Sequence, residues 1–313
     1  MTTGRAINFI NTTRPIEEMW DWLSYLTSPE NAKSILCRKI GQNEFGIDYS
    51  MLKKRKAGKE CSQFSIITED VVEENAKNIA RYVTQARDLF AAARNVSELA
   101  SPILYYYGML SLGDALVLSI YHYSESEEKN ENFHKHGLTM GRTSDDVTVR
   151  PFGSFPRIHD CYSLEPELYL NKTSLSLKEL LSVVPDIRPQ YRLVYNEEPN
   201  VRPTIGRIID IDQGQYEILP IKGFTLDPID CIFMAMFILC SKARYRPSVW
   251  FDEITTKKES FLLRSFLTAA ERRYPNLILN RIWNAPFVFA PVARTGPSDD
   301  MIAIDWSSIE MRP

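Results

Sequence analysis

The chain has no cysteine pair at C-x-x-C spacing, no apolar run of membrane-spanning length and no excess of positive charge, and each absence removes a class of function. Its five cysteines, Cys37, Cys61, Cys161, Cys231 and Cys240, are an odd and scattered set with no histidine at metal-ligand spacing. That pattern predicts reduced thiols and argues against a disulfide framework or a structural zinc. The most apolar segment, "CIFMAMFILC" at 231–240, is about half the ~20 residues a bilayer requires, which predicts a buried helix and no membrane association. The first residues, "MTTGRAINFINTTRP", hold no apolar stretch of the kind a secretory signal needs, so a cytoplasmic protein is expected. A formal net charge of -3 over 313 residues supplies no global field toward DNA or acidic lipid. Any nucleic-acid contact must be local.

Also missing are a G-x-x-x-x-G-K phosphate loop, a G-x-G-x-x-G turn and a G-x-S-x-G elbow, which argues against an ordinary ATPase, a dinucleotide enzyme and an α/β-hydrolase. No cofactor is expected, and no metal. His134-x-His136 has no acidic or cysteine partner at a recognisable spacing. Asp210, Asp212 and Gly214 begin like a calcium loop but lack the glutamate that completes one, and a hairpin turn explains them better.

What is present is helical periodicity. "RPIEEMWDWLSYLTSPENAKSIL" reads as one helix opened by Pro15, with Glu17 and Glu18 favourably placed against the dipole. From Thr68 to Arg94, Val72, Ala76, Ile79, Val83, Ala86, Phe90 and Ala93 recur in steps of four and three, one face of a long helix capped by Thr68. A short turn leads into "SPILYYYGMLSLGDALVLSIYHY" at 101–123, expected to pack antiparallel to it. Gly108 and Gly113 each cost roughly 1 kcal/mol in a helix interior, so they predict close approaches by neighbours. Tyr107, Ser111, Asp114 and Tyr121 form a polar stripe on that helix. It reads either as an internal hydrogen-bonded network, tied to Arg81 or Arg87, or as the wall of a polar pocket.

The middle of the chain changes character. "DDVTVRPF", "TIGRIIDID" and "QYEILPI" predict strands, the last two a hairpin around "DQG", with a short helix in "SLSLKELLSVVPDI". Helices return with Asp227 as a cap and Pro228 as the first residue, and again over about 257–273 with Phe261, Leu262, Phe266, Ala269 and Ala270 on one side. "PFVFAPVA" and "DMIAIDWSSI" supply two terminal strands. The expected fold is α+β and mainly α: a helical region over 1–142, a mixed β-containing region over 143–226, and a helical layer with terminal strands over 227–313, joined as one compact unit.

"SPILYYYGMLSLGDALVL", "HKHGL", "LSLKELLSVVP", "ARYRPSVWFDEI" and "YPNLILNRIW", in that order, resemble the bacterial YaaC-like family from about Trp20 to Trp283. The two long helices with "YYGMLSLGDAL" and a later "HG" are also similar, over about 68–142, to the antiparallel helical core of the HEPN superfamily. That likeness implies either a metal-independent ribonuclease or a nucleotide- or RNA-binding module, in toxin, phage-defence or stress systems. Catalytic members carry an arginine a few residues before a histidine. Here Arg157 is too close to His159 and Arg150 too far, a departure that puts cleavage in doubt.

The candidate catalytic set is therefore a rearranged one, His134, His136 and Arg142, because RNA cleavage needs a base for the 2′-hydroxyl and a cation for the phosphate in space rather than in sequence. Candidate nucleic-acid contacts are Lys53, Lys54, Arg55 and Lys56 with Lys59, and Arg244 and Arg246 with Trp250, Arg272 and Arg273. The plainer readings are a solvated basic loop and arginines that complement helix C-termini. A third expectation is a non-catalytic subunit in a multi-component or homo-oligomeric assembly, with an exposed apolar patch near Trp20, Trp22 and Tyr25.

Overall fold

The computed structural model describes residues 8–42, 44–45, 47–48, 67–122, 131–132, 134–163, 167–203, 216–290, 292–294 and 302–304. Two prolines shape its first helices. α1 (Pro15–Ser24) and α2 (Pro29–Gly41) each carry proline in the first turn, and one turn of 3₁₀ helix, Tyr25–Thr27, joins them. The expectation of a single helix is corrected at Ser28. Pro29 disfavours helical backbone at the residue before it, Ser28 is extended (φ -90°, ψ 126°), and its side chain accepts from the Asn31 N–H to start α2.

α3 (Glu69–Arg94) begins as expected, with the Thr68 hydroxyl accepting from the Val71 N–H, and its whole apolar face is buried. α4 (Ser101–Leu118) runs antiparallel to it. The Asn75 amide donates to the Leu118 and Tyr121 carbonyls (3.1 and 3.0 Å) at one end, Ser111 donates to Gln85 Oε1 (3.1 Å) midway, and Gly108 lies against Phe90 further along. Both glycines of α4 occupy close approaches: a Cβ at 108 would stand 2.6 Å from Phe90 Cδ2, and one at 113 would overlap Ile158 Cδ1.

α4 is hydrophobic on nearly every side because helices surround it. α3 packs on one flank, and α5 (Ser154–Asp160) packs on another. α6 (Glu167–Leu170), α7 (Leu177–Leu181) and α8 (Arg188–Tyr195) are short; α7 opens with a reciprocal capping box between Ser176 and Glu179. α9 (Pro228–Tyr245) crosses α4 and is buried from Ile229 through Lys242, with Asp227 Oδ1 accepting from the Ile229 N–H at 2.8 Å. α10 (Pro247–Thr255) and α11 (Ser260–Trp283) complete the layer.

α11 extends ten residues beyond the expected Arg273, through Pro275. An interior proline costs about 3 kcal/mol, but the turns beyond it bury Ile278, Leu279 and Ile282, which offsets that loss. Phe261, expected on the buried side, is instead 51% exposed in the first turn.

The strands form small separate sheets, so the fold is mainly helical α+β. Leu138–Met140, Asp146–Val149 and Ser174–Ser176 make a three-stranded antiparallel sheet, with Leu138 opposite Val149 and Val147 opposite Leu175. Asn8–Asn11 pairs in parallel with Phe287–Ala290, Ile47–Asp48 with Tyr121–His122, and Val292–Arg294 runs antiparallel to Ile302–Ile304. Val201–Pro203 pairs antiparallel with Tyr216–Ile218. The expected strand at 204–212 and the turn at Asp210, Asp212 and Gly214 lie outside the described residues, as does Cys61.

The apolar patch expected near Trp20 is largely core. Trp20 is 7% exposed, and Trp22 meets Trp283 and Phe287 at centroid distances of 5.7 and 4.9 Å. Only Tyr25 keeps substantial exposure, 41%, while its ring lies against Trp283. Among the described residues no helix is long and apolar enough to cross a membrane.

Candidate functional site at the edge of the central helix

The segment "HKHG" is strapped across the start of α5 by backbone hydrogen bonds. Ser154 N–H donates to the Lys135 carbonyl (2.8 Å), Phe155 N–H to that of His136 (3.0 Å), and Arg150 N–H to that of Gly137 (2.8 Å). Gly137 (φ 76°) and Gly153 (φ 108°) face one another so closely that a Cβ on residue 153 would come within 2.9 Å of Gly137 Cα. Both positions require glycine for backbone angle and for space. The strap fixes His136 beside α4.

There the Tyr106 hydroxyl lies 3.0 Å from His136 Nδ1, and the imidazole stands edge-on to Tyr106 and Tyr107. The third member arrives from the end of α9. Arg244 donates to the Tyr107 hydroxyl at 2.7 Å, with its guanidinium 5.9 Å from the Tyr107 ring centre and 4.9 Å from that of Tyr245. Burial pushes His136 below the ordinary imidazole value, and the positive charge of Arg244 acts in the same direction. At neutral pH His136 is an uncharged ring beside a fixed cation.

Two turns further along α4, Asp114 meets Arg157 of α5, NH2 to Oδ1 at 3.4 Å, and the same guanidinium nitrogen donates to Ser154 at 3.1 Å. The Asp114 side chain is 20% exposed. Burial pushes its carboxyl up to about 6, against the opposing pull of Arg157 and then of His134.

Three segments distant in sequence, "YYYGMLSLGDAL", "HKHG" and "ARYRP", thus converge on one edge of α4. The model of the YaaC-like protein family matches residues 24–218 and 206–282. The chain belongs to the YaaC-like family. No curated protein and no solved structure matches it. Every member of the YaaC-like site lies within the matched spans, Tyr106, His136 and Arg157 in the first and Arg244 in the second.

Several expected site residues fall elsewhere in this YaaC-like fold. The guanidinium whose charge acts on His136 belongs to Arg244, which is bonded to Tyr107. Arg142 stands exposed in the turn that follows Leu138–Met140. Tyr121 leaves the polar stripe because α4 ends at Leu118; its hydroxyl is buried and donates to the Asp160 carbonyl at 2.7 Å. Arg81 and Arg87 do not reach Asp114, since both sit on the solvent side of α3, bonded to Asn78 and beside Asp88. Ser111 is buried and turned toward Gln85 and the Tyr107 carbonyl.

Trp250, expected as a stacking ring, is 1% exposed and donates to the Glu98 carbonyl. Arg272 and Arg273 both bind Asp186, at 2.9 and 3.2 Å, and Arg246 is exposed at the C-cap of α9. His134 is exposed next to the strap. Lys53, Lys54, Arg55, Lys56 and Lys59 lie outside the described residues. Among the described residues no three His, Cys, Asp or Glu side chains gather as metal ligands. An open groove of about 870 Å³ runs along α3, past Thr27, Lys77, Arg81 and Asp88, and touches the site only through Gln85.

Tyr106 and Tyr245 were not singled out by sequence reasoning, and Arg157 was weighed only against His159 and as a cation for RNA cleavage, not as the partner of Asp114. The paired glycines at 137 and 153 are the one local signal that the strap, and Arg157 after it, is built to tight tolerance.

Proposed function

We propose that this YaaC-like chain binds nucleic acid or a nucleotide at the edge of α4, with Arg244 meeting phosphate and His136 and Tyr107 beside it. The observation that carries this reading is the company Arg244 keeps. Arg157, Arg264, Arg272, Arg273 and Arg281 each meet a carboxylate. The partners of Arg244 among the described residues are Tyr107, Tyr245 and Cys240, none of them acidic at neutral pH. A cation oriented by a hydroxyl and two rings, with no carboxylate partner among the described residues, suits a phosphate supplied by a ligand. Lys53, Lys54, Arg55 and Lys56 serve as further phosphate contacts in this reading. The HEPN likeness of 68–142 extends it to a bacterial defence or stress system, with the chain as a component of a larger assembly.

A second reading, metal-independent cleavage of RNA, is favoured by one feature: the uncharged His136 beside Arg244. His136 Nε2 would take the 2′-hydroxyl proton in the tautomer whose Nδ1–H donates to Tyr106, and Arg244 would hold the charge that grows on the phosphate. Binding of fluorescently labelled single-stranded RNA, single-stranded DNA and duplex, at two salt concentrations and with the products run on a gel, tests both. Salt-sensitive binding that Arg244→Gln weakens supports the first reading. Cleavage lost in His136→Ala supports the second, and cleavage retained in that variant excludes it. No binding at low salt overturns both.

A further inference from the structure

The end of α9 holds an apolar ring where burial gives no reason for one. α9 is buried from Ile229 through Lys242, yet Tyr245, its last residue, is 70% exposed. The ring is nevertheless held in place. The Arg244 guanidinium lies 4.9 Å from its centre and 5.9 Å from that of the Tyr107 ring, while the same guanidinium is anchored by the Tyr107 hydroxyl. The Arg244 guanidinium thus lies beside two rings, Tyr107 and Tyr245, of which Tyr245 is exposed.

A similar pair stands by the strap. Lys135 Nζ lies 5.6 Å from the centre of the Phe152 ring, itself 38% exposed, next in sequence to His136 and packed by its carbonyl against Gly137. Two exposed rings, each with a cation, therefore stand near the site, Tyr245 beside Arg244 and Phe152 beside the residue that precedes His136.

We infer that the site takes single-stranded nucleic acid, with an unpaired base laid on the exposed face of Tyr245 and the adjoining phosphate on Arg244; this rests on the binding reading above. A base in that position extends the existing ring–guanidinium stack, and the cation strengthens both contacts. Duplex is disfavoured because its base faces are already stacked on one another. The shared recognition chemistry is a base joined to a phosphate, which a free mononucleotide also offers. Phe152, exposed near the strap, supplies a second such face for a longer strand.

The test is fluorescence anisotropy of the full chain with a short labelled single-stranded oligoribonucleotide, the same strand made abasic, and AMP as competitor. Tyr245→Ala is expected to weaken oligonucleotide binding about tenfold, while Tyr245→Trp and Tyr245→Phe retain it. The abasic strand is expected to bind weakly, and equally to wild type and Tyr245→Ala. With the ring 70% exposed, these variants keep the core intact, which circular dichroism checks. If the abasic strand binds as tightly as the natural one, or if Tyr245→Ala changes nothing where Arg244→Gln abolishes binding, stacking is wrong and phosphate recognition stands. AMP that occupies the site as tightly as the oligonucleotide overturns the single-strand assignment. If no probe binds the wild type at low salt, the binding reading falls with the inference.

Discussion

His159 lies in α5 and His136 in the strap across the start of that helix, and their surroundings differ in kind. His159 is 2% exposed, with Nδ1 3.0 Å from Asp230 Oδ2, and Asp230, wholly buried, also accepts from the Tyr162 hydroxyl at 2.7 Å. Arg281 continues this interior network, holding Asp227 at 2.8 Å and lying over the Tyr162 ring. Among the described residues His136 is hydrogen-bonded to Tyr106, and Arg244, whose charge acts on it, is bonded to the Tyr107 hydroxyl with no carboxylate partner. Polar groups enclosed with their partners hold helices together. Polar groups on a half-open edge are the ones the proposed binding would use.

The sharpest way to break this comparison is to cut into the interior network. Asp230→Ala removes the carboxylate bonded to both His159 Nδ1 and the Tyr162 hydroxyl, and should cost about 3 to 5 kcal/mol in urea unfolding. A loss under about 1 kcal/mol would put His159 in the same class as His136. Next in size is Gly113→Ala, where the new methyl overlaps Ile158 between α4 and α5. It should lose about 1 to 3 kcal/mol, read as a lowered thermal midpoint, whereas Gly41→Ala, with nothing within 4 Å of its Cβ, should lose none.

A third variant sits between the two regions. The folded protein holds the Asp114 carboxyl up to about 6, from an ordinary 3.8. The folded state therefore binds the proton more tightly than the unfolded chain, and Asp114 contributes stability that is complete below about pH 4 and is lost as pH rises through 6. Urea midpoints measured from pH 4 to 7 should show this decline in the wild type and a flatter profile in Asp114→Asn. The smallest effects belong to the edge. Arg244→Gln and Tyr245→Ala should each change stability by within about 0.5 kcal/mol while weakening oligonucleotide binding, and a larger loss of stability would make the edge a packing element after all.

Local signals carried much of the fold. Thr68 before an acidic first turn, Asp227 before Pro228, and Ser176 three residues before Glu179 are caps whose physics is complete within a few residues, and each begins a helix. Gly108 and Gly113 announced close packing without naming Phe90 or Ile158. Prolines were less decisive. Pro29 splits a helix and Pro275 does not, because only the second lies amid a long buried face whose packing outweighs the missing hydrogen bond.

The site divides in the same way. Residue type and spacing were enough to mark His136, Asp114 and Arg244 as chemically interesting, since charged or polar groups beside helical apolar patterns must find partners. Which partner each finds was decided by tertiary structure alone. Asp114 takes Arg157 from a different element, although Arg81 and Arg87 are nearer in sequence, because the face of α3 that packs on α4 is the apolar one. His136 meets Tyr106, and Arg244 the neighbouring Tyr107, because the strap crosses α5 where α9 comes to its end beside α4. Hydrogen-bonded caps and apolar periodicity act over a few residues and are therefore written in the sequence; the pairing of Arg244 with Tyr107 exists only once distant helices have packed.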